Sequence, residues 1–270
     1  SLHDALPISV EKISEDKKLS LVEVNCGEKK YVTVCGAPNV KPGMKSAFAP
    51  PGMMVAGNMK IEKTSIAGHT SEGILCSSKE LGMSDSHDII LEIPRSVKTG
   101  AHLSDIMPET DYLVEIDNKS LTHRPDLWGH YGFAREVAAI FGRELKPLDL
   151  DDLTAYQELP EYPLQIEDYT GCPCYACLEM KLTVSPSPLP IQWRLHALGQ
   201  RTFNVLVDLT NYIMLELAQP MHAFDGDKLK AVKVGPFAKE GSFTTLDDQP
   251  RKMKPNDLMI WNEQEPVALA

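Results

Sequence analysis

Residues 207–225 read VDLTNYIMLELAQPMHAFD, and the alternation of apolar and polar side chains in this stretch sets how the rest of the chain is read. Leu209, Ile213 and Leu217, with Tyr212, Met214 and Leu215, recur at helical spacing, which predicts a helix with a broad buried face. Asp208 and Thr210 supply polar groups near its start, and Pro220 stops it. Thr210 and Asn211 open the element and His222 follows on the exit turn, so its chemistry lies at its ends. By side-chain chemistry alone, His222 beside Met221 and Phe224 reads as a packed residue bonded to backbone.

The 270 residues suffice for about two domains with real cores. Apolar residues make up 43% and charged residues 24%, which excludes a disordered chain. No apolar run approaches the roughly 20 residues that span a bilayer, and the start lacks the basic and apolar regions of a signal peptide. A cytoplasmic protein is expected. The first eight residues, SLHDALPI, match one reading frame of a common sequencing adapter, so the natural sequence is expected to begin near Ser9. The other end, EPVALA, stops on an apolar run without a cap, and both ends read as cut.

The net charge of −11 is uneven. Residues 9–108 carry 12 basic and 12 acidic side chains, residues 109–163 carry 5 against 12, and residues 164–270 carry 10 against 13. None of these segments is the basic surface that dominant phosphate binding requires, so any RNA contact is local or shape-driven. Cys172, Cys174 and Cys177 crowd into GCPCYACLEM, but no second Cys or His pair completes a zinc set. YACLEMKL alternates like a strand, where cysteine acts as a small hydrophobe.

Between Val10 and Met107, LSLVEVNC, KKYVTVCG, MKSAFAPPG and MKIEKTSIAG are short β-rich runs separated by Gly, Pro and Asn turns. That pattern predicts a small barrel, the OB-fold being the commonest. In DYLVEIDNKSLTHRPDLWGHYGFAREVAAIFG, Tyr112 to Ile116 reads as a strand. Asp126 is a helix-start signal, and Phe133, Val137, Ile140 and Phe141 form an apolar stripe ended by Gly142. Arg124 and Asp126 are expected to pair and cap. Glu144 to Pro163 is acidic and proline-punctuated, a linker. Further on, Ile191, Leu195 and Leu198 form an amphipathic helix that Pro190 starts and Gly199 ends. Leu229 to Phe237 and Ser242 to Leu246 read as strands.

Val207 to Asp225 closely resembles the editing-domain signature of phenylalanyl-tRNA synthetase beta subunits. CGAPNVKPGMKSAFAPPG and SIAGHTSEGILCSSKELGM resemble the tRNA-binding OB domain of the same family. The Arg-Pro-Asp turn and the Ala-Arg-Glu-Val-Ala helix resemble its joining segment. Here Leu-Thr-His stands where the family has Thr-Pro-Asn, which removes one proline-stiffened turn. The resemblance implies a multi-domain α+β chain: an OB-fold β-barrel, a short α/β connecting segment, and an incomplete mixed α+β editing domain. The expected boundaries are a leader at 1–8, the OB domain at 9–107, the connecting segment at 108–147, an acidic linker at 148–163 and a truncated editing domain at 164–270.

In that family a Thr-Asn pair and a histidine eleven positions after the Asn line the editing pocket, which Thr210, Asn211 and His222 match. The implied reaction is hydrolysis of mischarged tyrosyl-tRNA(Phe) by a positioned water, without a Ser or Cys nucleophile or a metal. A neutral imidazole can polarise such a water near pH 7. The family's glutamate that senses the tyrosine hydroxyl lies past Ala270, so the chain alone is expected to edit poorly or not at all. Asn39 and Ser71 sit in the two loops that related domains present to tRNA. Their competing reading is turn chemistry, because no aromatic stacking platform accompanies them. Asp85, His87 and Asp88 read as solvated turn residues. No GxxxxGK[ST] or GxGxxG occurs. The family places ATP and phenylalanine on the alpha subunit and its Mg2+ ligands in a later beta domain, so no cofactor is expected in this chain. The implied partners are tRNA(Phe) and the alpha subunit of an alpha2-beta2 heterotetramer. Two rival readings are a non-enzymatic tRNA-binding OB module and a free-standing trans-editing hydrolase.

Overall fold

The computed structural model describes residues 3–14, 18–85, 87–107, 110, 112–245 and 248–270. The chain divides into two compact units, Ser1–Arg143 with Val184–Met221, and Glu144–Thr183 with His222–Ala270. The units therefore interleave along the sequence. No helix among the described residues is long and apolar enough to cross a membrane.

The first unit begins with nine strands: β1 (His3–Ser14), β2 (Leu19–Asn25), β3 (Lys30–Cys35), β4 (Ser46–Ala49), β5 (Met54–Val55), β6 (Met59–Lys60), β7 (Thr64–Ile66), β8 (His69–Ser71) and β9 (Ile74–Leu75). Five of them form one sheet in the order β3-β2-β1-β4-β9, while β5-β6 and β7-β8 are separate hairpins. Part of the expected leader thus lies within β1, where Ala5 pairs with Ser46 of β4. Strand periodicity explains β2: Ser20, Val22 and Val24 point inward and the residues between them are half-exposed. All four residues of β4 are buried. Val22, Val24, Met44, Phe48, Leu75 and Ile90 form one apolar cluster, and Ala47, Ile61, Met83, Leu91 and Ile93 belong to another.

Among the described residues the expected barrel is not closed by strand pairing. Between β3 and the end of β8, side chains take the place of a ladder. The Val34 N–H donates to Ser71 Oγ at 3.1 Å, Ser71 and Thr33 share a hydroxyl bond at 3.1 Å, and Thr33 Oγ1 donates to Gly73 O at 2.6 Å. A flanking backbone bond crosses from Glu72 N–H to Val32 O at 2.7 Å. Gly73 has φ +114°, and a Cβ there would meet Phe48 Cζ at 2.5 Å. That position admits only glycine.

Three helices complete this unit: α1 (His130–Phe141), α2 (Leu189–Ala197) and α3 (Val205–Leu217). Gly142 caps α1 with φ 60°, Pro190 lies in the first turn of α2 and Gly199 follows its end, as their sequence positions predict. Other expectations need correction. Residues 112–118 take no regular structure, and Leu113 and Val114 are largely exposed. Asp126 sits in a short turn, Pro125–Trp128, while α1 starts after Gly129 without a side-chain cap. Asp126 pairs instead: Arg124 grips both its oxygens at 2.9 and 2.8 Å, and Arg135 adds a third bond at 2.7 Å. The apolar stripe of α1 is not buried, since Ile140 and Phe141 are 69% and 71% exposed. α1 packs through Gly132, where a Cβ would run into Asp126 O.

The second unit holds a four-stranded sheet, β10 (Leu164–Ile166), β11 (Val232–Pro236), β14 (Leu258–Trp261) and β15 (Pro266–Leu269), in the order β10-β11-β14-β15. β10 and β11 run parallel and the other pairs antiparallel. β12 (Gly241–Thr244) and β13 (Pro250–Met253) form a hairpin, and the expected strand end at Leu246 lies outside the described residues. Cys172, Leu229, Val232, Val234 and Ile260 form the core. The predicted strand at YACLEMKL forms no ladder among the described residues. Its alternation survives, with Tyr175 and Cys177 turned toward the core and Leu178 66% exposed. The two units together make a mixed α/β chain in which strands outnumber helices.

Candidate functional site

The head of α3 is built around a carboxylate. Asn204 caps the helix, its Oδ1 accepting from the N–H groups of Leu206 and Val207 at 3.1 and 3.2 Å. The helix therefore starts three residues before the expected Asp208. Asp208 is instead 1% exposed, the one buried residue of α3. Its Oδ2 accepts from Ser187 Oγ at 2.5 Å and its Oδ1 from the Phe203 N–H at 2.8 Å. Gln192 Nε2 in turn donates to Ser187 O at 2.6 Å. The expected broad apolar face is half-exposed: Leu209 and Leu217 stand at 36% and 40%. At the far end, His130 Nδ1 donates to Leu215 O at 2.8 Å, and a Cβ at Gly129 would run into Ala218 N.

Thr210 and Asn211 lie one turn past Asp208, both half-buried. The Thr210 hydroxyl donates back to Val207 O at 2.8 Å. The Asn211 carboxamide makes no hydrogen bond among the described residues. Arg194 of α2 reaches the next residue, donating to Tyr212 Oη at 2.5 Å. Thr210 and Asn211 are thus brought together on one helix. His222 belongs to the second unit, where it is exposed and stacks on Phe224 with ring centroids 5.8 Å apart.

The two candidate loop residues serve the sheet itself. Ser71 is 3% exposed, and its hydroxyl is the strut between β3 and Gly73. The hydroxyl is thus taken up by bonds within the sheet. Asn39 is half-buried and clasps one residue at both its backbone groups, donating to Ile90 O at 2.9 Å and accepting from Ile90 N–H at 3.0 Å. Beside them, Leu21, Val32, Lys63, His69, Thr70 and Glu72 line an open cleft of about 350 Å3 on the β2–β3 face. Lys63 and Glu72 pair across it at 2.7 Å, and the lysine bond holds the Glu72 carboxyl below its usual range. This pairing leaves the face with little net charge.

Sequence reading missed Asp208 as a buried group and missed Ser187 altogether. An acid near a helix start is an ordinary cap signal, and its partner lies 21 residues away. No group of three or more metal-ligating side chains gathers among the described residues. Asp85 and His87 meet only where the ring of His87 approaches Asp85 O at 3.5 Å.

Residues 7–102 match the family model of a tRNA binding domain, and residues 171–270 match that of the B3/4 domain. The phenylalanine–tRNA ligase beta subunit of Solibacter usitatus is 44% identical over 88% of this chain and 29% of its own. That of Desulfotalea psychrophila is 38% identical over 100% and 33%, and that of Halalkalibacterium halodurans 40% over 94% and 32%. The crystal structure of a MetRS related protein from Pyrococcus horikoshii aligns at 24% identity over 37% of this chain and 85% of that one. Its TM-score is 0.28, too low to bear on architecture.

The chain thus carries a tRNA binding domain followed by a B3/4 domain. The chain is similar to phenylalanine–tRNA ligase beta subunits, and it spans about a third of the length of the curated relatives it matches.

Proposed function

We propose that this chain is the tRNA-binding and editing part of a phenylalanine–tRNA ligase beta subunit, and that within the full-length enzyme it serves the hydrolysis of tyrosine from mischarged tRNA(Phe). One observation carries the reading: both domains occur in that order in one chain whose relatives match across most of it. The five-stranded sheet is read as the OB domain, with the β2–β3 face toward RNA. The Ser71–Thr33 bridge supports this by holding β3 against the end of β8.

In this reading the misacylated 3′ end lies against the middle of α3, where Thr210 and Asn211 stand. The carboxamide of Asn211, uncommitted among the described residues, donates to the ester carbonyl oxygen as charge builds there. The imidazole of His222 positions the attacking water and takes up its proton. Thr210 shapes the pocket rim, its hydroxyl already bonded to Val207 O. Tyrosine recognition, aminoacylation, ATP and Mg2+ are assigned to the alpha subunit or to parts of the relatives that these residues do not match. The working assembly is a cytoplasmic alpha2-beta2 heterotetramer.

The test is His222→Ala in the full-length enzyme. Deacylation of tyrosyl-tRNA(Phe) should slow while phenylalanine charging stays nearly intact. Equal losses in both would make His222 structural and remove it from the pocket.

A further inference from the structure

The first unit holds a second cleft, of about 410 Å3, where the loop after β9 meets the end of α2. Lys79 and Asp85 line it from the loop, Gly57 from the turn between β5 and β6, and His196 and Arg201 from the α2 end. The buried Met83 forms its apolar floor. Its volume falls in the range of small-ligand sites, roughly 300–1,000 Å3.

Some of the chain's lysines meet a carboxylate. Lys63 is paired with Glu72, Lys230 with Asp227 and Lys233 with Glu167. Lys79 and Arg201 are both exposed, and neither meets a carboxylate among the described residues. The Arg201 guanidinium lies over the Phe203 ring, 5.7 Å from its centroid, which steadies it while leaving its N–H edge for other partners. In a chain of net charge −11, two unpaired cations line one concave surface with a single carboxylate, Asp85, on the same wall.

We infer that this cleft seats one nucleotide of an RNA strand, with Lys79 and Arg201 on its phosphate and Asp85 accepting from its 2′-hydroxyl. The inference rests on the tRNA-binding reading of residues 7–102 and adds a contact that draws on α2, outside that domain. Lysine and arginine contacts to phosphate fix a strand in place without reading its sequence. A carboxylate on the 2′-hydroxyl separates RNA from DNA.

The test is anisotropy titration of the 270-residue chain with tRNA(Phe) transcript and with matched single-stranded RNA and DNA 12-mers. Lys79→Ala/Arg201→Ala should weaken RNA binding about tenfold at low salt, and lower the salt slope by about 0.7, the single-strand value for the one phosphate they share. Arg201→Lys should restore part of the loss. Asp85→Asn should reduce the preference for RNA over DNA. Lys252→Ala, which removes an exposed charge on β13, should change neither. All four residues are exposed, so melting curves should match wild type. A double variant with wild-type affinity and slope overturns the cleft and leaves the tRNA-binding reading standing. A loss matched by Lys252→Ala reduces the effect to net charge and also overturns it. A wild-type chain that binds no RNA at low salt removes both.

Discussion

Ser187 Oγ donates to Asp208 Oδ2 at 2.5 Å, joining the residues just ahead of α2 to the first turn of α3. With the Phe203 N–H on the other oxygen, the carboxylate is satisfied without a basic partner. Its place in the first turn also sets it against the positive end of the helix dipole. Ser187→Ala leaves one carboxylate oxygen buried and unbonded, which should cost about 1–3 kcal/mol. Asp208→Ala orphans both donors and should cost at least as much. Urea unfolding of the two single variants and the double measures the coupling. Additivity within about 0.5 kcal/mol would mean that the two residues act independently.

Ser71→Ala should destabilise the first unit by about 1–3 kcal/mol, because the Val34 N–H loses its acceptor and Thr33 its hydroxyl donor. tRNA affinity should be unchanged once the protein is fully folded. A loss of affinity at wild-type stability would return Ser71 to the RNA surface.

Local signals were legible where one element suffices. The alternation in β2, the caps at Gly142 and Gly199, and the proline at the start of α2 follow from backbone and side-chain period alone. The failures share a cause. Periodicity names the residues an element would bury if something covered them, and it cannot supply the cover. Leu113, Ile140, Phe141 and Leu217 keep the right spacing and stay exposed. The polar bonds that shape the site span long separations, 38 residues for Thr33 with Ser71 and 51 for Asn39 with Ile90. Thr210, Asn211 and His222 stood out because their spacing fits a known signature, whereas Lys79 and Arg201 become neighbours only through the fold.

Asn39→Ala removes a donor and an acceptor from Ile90 at once, and should lower stability by about 1–2 kcal/mol. Asn39→Asp keeps the bond from the Ile90 N–H and sets a carboxylate against the Ile90 carbonyl. Filter binding to tRNA at low salt should not distinguish Asn39→Ala from wild type. A clear drop there would make Asn39 an RNA contact as well as a clasp.

Asp126 makes acid stability testable at one residue. Bonds from Arg124 and then Arg135 hold its carboxyl well below the usual carboxylate range in the folded state. A depressed folded value stabilises the protein fully above the unfolded value of about 3.9, and that contribution is lost as pH falls toward the folded value. Wild type should therefore lose stability below about pH 4, taking up a proton on unfolding. Asp126→Asn cannot titrate, so its urea midpoint should fall less steeply between about pH 4 and 2 while starting lower at pH 7. Glu72 and Asp152 are also held low, by the Lys63 and Thr154 bonds respectively, and they titrate alike in both proteins. The difference between the two curves therefore isolates Asp126. Parallel curves would show that Arg124 and Arg135 do not stabilise the turn through this carboxylate, and that the close packing of Gly132 against Asp126 O holds it instead.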